Sequence, residues 1–195
     1  MRAVSLSADP LAVLVFTLLY ASLEDRELAA LLSAVLIHEL GHLAALRLLG
    51  LKLCALRLEL TGLCIRYAGA PDRWEQFLTA AAGPAMGLIY AQLASWMGWE
   101  LTAGVSLLLS LFNLLPVRPL DGWQMAAALC TGARSERILS AVGLLVSLTV
   151  LFLGVRFLWQ GRGFGLCIVG ACLFVSWMLS DYSKRKSFFR LGNTA

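Results

Sequence analysis

The stretch SAVLIHELGHLAAL, residues 33–46, sets two histidines and a glutamate into an otherwise apolar run. His38 and His42 are the only histidines in the chain. The run extends over residues 28–49, which as an α-helix is about 33 Å long at 1.5 Å per residue. That length crosses the hydrocarbon core of a bilayer. The stretch therefore reads as a membrane helix that carries chemistry.

The rest of the chain agrees with that class. Of 195 residues 59% are hydrophobic and only 14% charged, with mean hydropathy +0.78, whereas soluble domains are about half apolar and a quarter charged. The apolar residues come in blocks, so the excess is not one large soluble core. Six segments are predicted, at about 4–23, 28–49, 74–97, 101–115, 137–159 and 164–180. The first contains Asp9 and Pro10, and the fourth is short and ends at Pro116; short spans are tolerated inside a bundle. The fold class is an all-α polytopic membrane protein of about six transmembrane helices.

One connection is not a plain loop. In LKLCALRLELTGLCIRY, residues 51–67, Leu56, Leu58 and Leu60 alternate with Arg57 and Glu59, and Thr61-Gly62 marks a turn. This reads as a small β-hairpin between the second and third helices, lying at the cytosolic membrane surface. No repeat or appended soluble domain is evident, so residues 1–195 read as one membrane domain. Its core is 28–122, its fifth and sixth helices lie within 137–180, and its basic tail is 181–195.

Charge sets orientation and excludes one class of partner. With the N-terminus in the cytosol, thirteen of the sixteen Lys and Arg fall inside, and only Arg26, Arg156 and Arg162 fall outside. Positive loops stay in the cytosol, so both termini are expected there. The net charge of +4 does not point to nucleic acid, because Lys184, Arg185, Lys186 and Arg190 follow the last apolar segment, where an anionic-lipid contact is expected. No cleavable signal peptide is evident in residues 1–7. Five scattered cysteines without a CxxC pair argue against a disulfide framework or a zinc finger.

HExxH on a helix has a mechanical meaning. Residues four apart project from one face, one turn apart, and two imidazoles so placed can share a tetrahedral zinc at about 2.0–2.1 Å. Glu39, between them, can hold a water beside the metal and act as its base. Gly41 removes a side chain where another backbone or a substrate must come close. An ionised residue near the middle of a membrane helix costs about 2.5–3.5 kcal/mol, so Glu39 needs an offsetting metal or partner. A buried His–Glu cluster that merely ties helices together is the structural alternative.

Two histidines leave a catalytic zinc one protein donor short. The fourth segment ends in FNLLPVRPLDGW, residues 112–123, where Pro116 and Pro119 break any regular helix. Asp121 emerges at that break at a depth suited to meeting the histidines, and Gly122 lets the chain turn after it. Asp121 reads as the third ligand, or alternatively as the N-cap of a short helix over 122–129.

HELGH at 38–42 with NLLPVRPLDG at 113–122 resembles the site-2 protease family of intramembrane zinc metalloproteases, peptidase family M50. Within it the chain is most similar to the six-helix branch typified by stage IV sporulation protein FB. The resemblance implies His38, His42 and Asp121 as ligands of one zinc per chain and Glu39 as catalytic base. It implies Asn113 as a conformational or substrate-contacting residue, with Pro116, Pro119 and Gly122 shaping the same motif. Ala82-Gly83-Pro84 resembles an element of the family's third helix; a kinked, close-packed helix is its structural alternative. Many members carry Asn where this chain has Gly87, and a second glycine where it has Trp123. The PDZ and CBS domains of larger members are not expected within these 195 residues.

The implied activity is hydrolysis of peptide bonds in membrane-spanning or membrane-associated substrates, in a bacterial cytoplasmic membrane. The edge of the 51–67 hairpin is a candidate site for an extended substrate, or else a surface lid. A zinc transporter would line a path through the bilayer with polar residues, and here they gather at one depth. A catalytically silent scaffold of the same fold would usually lose Glu39 or a ligand. Oligomeric state is not legible.

Overall fold

In α1 (Asp25–Leu48) the buried residues are Ala30, Ala34, His38, Gly41, His42 and Leu46. That spacing of three and four draws one stripe along the helix. Leu32, Leu36 and Leu40 are exposed on the opposite side. A helix with its small and polar residues packed and its leucines outside is patterned for lipid rather than water. The fold is that of a computed structural model, which describes residues 5–8, 17, 23–59, 62–68, 71–130, 132–161 and 165–192.

Five further helices follow: α2 (Arg73–Trp96), α3 (Glu100–Asn113), α4 (Asp121–Leu129), α5 (Ala133–Trp159) and α6 (Gly165–Gly192). The ends of the first two are written locally. A reciprocal capping box of Glu24 and Glu27 opens α1, and one of Asp72 and Glu75 opens α2. Gly50 (φ 69°) and Gly98 (φ 74°) close them in the left-handed conformation, with Leu51 N–H donating to Leu46 O and Trp99 N–H to Ala94 O, both at 2.9 Å. Of the described helices, α1, α2 and α5 are long and apolar enough to cross a membrane, while α3 and residues 165–178 are shorter apolar helices.

The first apolar segment needs correction at its start. Residues 5–8 are not helical but form strand β1 (Ser5–Ala8); Asp9 and Pro10 follow it, and Pro10 can neither donate to a ladder nor sit in a helix interior. Most of 9–22 lies outside the described residues. β1 pairs in parallel with β2 (Lys52–Glu59), which pairs antiparallel with β3 (Gly62–Ala68), giving the sheet order β1-β2-β3. The last helix also differs from its expected span of 164–180, because α6 continues through the basic tail to Gly192.

α1 packs on α2 and α3, α2 on α3 and α4, and α5 on α6. Small residues make the first crossing close. A Cβ added to Gly41 would stand 2.5 Å from the Ala82 carbonyl oxygen and 2.9 Å from Met86 Cβ. At the next crossing Ser106 Oγ donates to the Gly87 carbonyl at 2.8 Å, and Ser110 Oγ to the Ser106 carbonyl at 2.8 Å. The segment between α3 and α4 is anchored by Val117 and Leu120, which form a core with Leu173 of α6, flanked by Phe112, Leu115, Val146 and Val150. That core fixes the depth at which α4 begins.

Candidate metal centre

His38 and His42 lie one turn apart on the buried stripe of α1, and Asp121 is the first residue of α4. Although 83 positions separate Asp121 from His38, the three side chains converge. His38 Nε2 is 3.1 Å from Asp121 Oδ2, His42 Nε2 is 3.3 Å from the same oxygen, and the two Nε2 atoms are 3.2 Å apart. Donors at 2.0–2.1 Å around a tetrahedral ion stand about 3.3–3.4 Å from one another. The triangle has nearly that edge on every side.

Hydrogen-bond chemistry sharpens the fit. His42 Nδ1 lies 2.8 Å from the Thr79 backbone oxygen; a carbonyl only accepts, so Nδ1 carries the proton. In the neutral ring Nε2 is then a bare lone pair aimed at a carboxylate oxygen and a second imidazole. One N–H on His38 satisfies at most part of this triangle, and lone pairs still face one another. A divalent cation held by His38, His42 and Asp121 would give each of those lone pairs a partner. An imidazole anchored through its other nitrogen to a backbone carbonyl is the usual setting of a metal-binding histidine. His38, His42 and Asp121 are 4%, 8% and 7% exposed, and a carboxylate so buried needs a cation or several donors.

Asp121 does not act as a helix cap. Leu120 occupies the N-cap position of α4 and no side chain caps the helix, so its carboxylate is left to the histidines. Glu39 is half-buried next to His38 on α1, with Oε2 buried and lacking a partner among the described residues.

Gly83 backs the centre directly. A Cβ there would overlap His42 Nε2 and would lie 2.6 Å from Cε1, so only glycine lets α2 approach the ring. Pro84 beside it is fully buried inside α2. Gly122 is equally constrained, since a Cβ would run into the Leu114 carbonyl and lie 2.7 Å from the Leu115 carbonyl oxygen. Pro116 and Pro119 fall in the break between α3 and α4, with the Arg118–Pro119 peptide cis. Asn113 is turned to its own helix, donating from Nδ2 to the Leu109 carbonyl at 3.0 Å.

Two features of the site have no sequence signature. The Thr79 carbonyl is a backbone acceptor, invisible to residue type. The other is a contact between Arg118 and Trp123, whose guanidinium carbon lies 4.2 Å from the ring centroid; only their proximity to Asp121 could have hinted at it.

Comparison with known proteins places the chain among relatives. A family model described as Peptidase M50B-like matches residues 11–118, and one described as Peptidase family M50 matches residues 92–155. A Synechocystis sp. protein provisionally named zinc metalloprotease sll0528 is 30% identical over 127 residues, 57% of this chain and 34% of the relative. The chain thus spans about a third of that relative's length. The solved structure of the Site-2 Protease from Methanocaldococcus jannaschii shares the fold, with TM-score 0.68 over 92% of each chain at 19% identity. The first family model covers more than half of the sequence, and the chain belongs to the M50 peptidases, the site-2 protease family of membrane-embedded zinc metalloproteases.

Proposed function

We propose that this chain is an intramembrane endopeptidase that hydrolyses peptide bonds in membrane-spanning or membrane-associated proteins, with one zinc ion held by His38, His42 and Asp121. The observation that carries the reading is the triangle of donor atoms at 3.1–3.3 Å, assembled from α1 and α4 with the His42 ring pinned from behind by Thr79. A zinc ion bound there supplies a Lewis acid that activates water and polarises the scissile carbonyl.

The chain's own residues do the rest. Glu39, one position from a ligand, takes the proton of the attacking water on its carboxylate and returns it to the departing amine. Its unpartnered Oε2 fits a group reserved for that transfer. Gly83 keeps the space beside His42 Nε2 free of side chains. Thr79 holds the ring in the tautomer that turns Nε2 toward the centre.

In the same reading the chain is a single domain of about six spans with both termini in the cytosol. The β2–β3 pair lies at the cytosolic membrane surface. Because β1 takes one edge of β2 and β3 the other, an extended substrate would add to the outer edge of β3 or of β1. Strand addition keeps the substrate backbone open to attack, which a regular helix does not.

The test is Glu39→Gln. It should retain zinc at wild-type stoichiometry while cleavage of a co-expressed membrane substrate falls by about 10²–10⁴-fold, the usual weight of a general base. Cleavage at the wild-type rate by that variant would remove Glu39 from the mechanism.

A further inference from the structure

The segment that delivers Asp121 is anchored in the core through Val117 and Leu120, but it is not built from regular structure. Between Asn113 and Asp121 the chain is neither helix nor strand. Its internal bonds are short-range, with Val117 N–H donating to Leu115 O and Leu120 N–H to Val117 O, each at 2.8 Å. A carboxylate ligand at the end of such a segment, on the first residue of α4, is only as well placed as the backbone on either side of it.

Arg118 and Trp123 bracket Asp121, three residues before and two after. They meet across it, with the guanidinium carbon 4.2 Å from the centroid of the indole. Trp123 is 6% exposed, and Gly143 of α5 lies beside it. A Cβ on Gly143 would stand 3.7 Å from Trp123 Cζ3 and 3.0 Å from the Pro116 carbonyl oxygen. The indole is therefore backed by α5 on one side and covered by the guanidinium on another. A cation over an indole face is attracted by the ring's quadrupole, more strongly where water is excluded. The contact closes a short loop of side chain and backbone around the ligand residue.

We propose that Arg118 and Trp123 act as one positioning unit that holds the backbone on both sides of Asp121 and thereby sets the affinity of the metal centre. Neither residue touches the ion; both act through Asp121. The inference rests on the proposed zinc site and adds to it a pair in which one residue without the other is of little use. Residues that orient a ligand from behind typically change metal affinity by about 10–100-fold when lost.

The experiment measures zinc affinity by competition with a chromogenic chelator on purified full-length chain, with the Tm of the metal-free protein alongside. The variants are Arg118→Ala, Trp123→Leu, their double mutant, Arg118→Lys and Trp123→Phe. Arg118→Ala and Trp123→Leu should each weaken zinc by about 10–100-fold, and the double mutant no more than the worse single. Arg118→Lys and Trp123→Phe keep a cation and a ring, and should recover most of the affinity with the metal-free Tm of the wild type. If either truncation fails to fold, the conservative pair carries the test, each expected to bind less tightly than wild type by a smaller factor. Unchanged zinc affinity in folded Arg118→Ala, or losses that multiply in the double mutant, would overturn the inference and leave the metal site standing. A wild-type chain that binds no zinc would overturn both.

Discussion

Gly83 of α2 and His42 of α1 meet backbone to ring, with no room for even one methyl group between them. The ring cannot retreat, because its Nδ1–H is tied to the Thr79 carbonyl and its Nε2 faces His38 and Asp121. Gly83→Ala should therefore push the imidazole off the centre. Zinc affinity should drop by about 10–100-fold, and peptide cleavage with it. Chelator competition reads the first and a cleavage assay the second; wild-type zinc affinity in this variant would mean that the two helices separate at little cost.

A second prediction concerns the helix crossing at Gly87. A Cβ there would overlap Ser110 Oγ, yet would be 3.5 Å from Ser110 Cβ, an ordinary contact. Gly87→Ala alone should destabilise the chain by about 1–3 kcal/mol through overpacking. Combined with Ser110→Ala, which removes the oxygen in the way, most of that loss should be recovered. Thermal unfolding of the two singles and the double decides it: strictly additive effects would show that the residues are not coupled.

Removing the metal gives a third. Three buried polar groups lose their shared partner without an ion, and anything that binds only the folded state stabilises it. A chelator-treated chain should melt lower than the zinc-loaded one by on the order of 10 °C, as expected for about 4 kcal/mol of linkage in a chain of this size. The gap should vanish in His38→Ala. An equal gap in that variant would locate the stabilising metal elsewhere.

How far the amino-acid sequence reaches is clear from particular residues. The convergence of His38 and His42 is legible because helical spacing puts residues four apart on one face. Asp121 is legible through its depth at a proline-broken helix end and through the third donor that HELGH leaves wanting; the alternative, a helix cap, falls because Leu120 holds the cap position. The Thr79 contact is not legible, since every residue has a carbonyl. Gly83 and Pro84 read as a place of close packing, but nothing in the chain says that the packed object is the His42 ring. β1 was hidden because Ser5–Ala8 is too short for a period to show and sits at the start of an apolar run. The helical course of the basic tail was hidden too, since charge announces the end of a span but not the end of a helix.

Trp123 shows how a departure from a motif can be accommodated. A bulky indole beside Gly122 lies next to Gly143 of α5, where a Cβ would stand 3.7 Å from its Cζ3 and a larger side chain would have no room. Replacing Gly143 with leucine should expel the ring and destabilise the chain by more than 1–3 kcal/mol, roughly the scale of ordinary overpacking. Unfolding by heat or denaturant reads it; a neutral outcome would mean that α5 can shift aside.

The most direct measurement is the zinc content of purified, folded wild-type chain set against Asp121→Ala. With donors from α1 and α4 sharing one ion, the wild type should carry about one zinc per chain. The variant, its fold verified by circular dichroism, should carry almost none after dialysis against a weak chelator. An Asp121→Ala chain that keeps a full equivalent of zinc under the same dialysis would contradict the account.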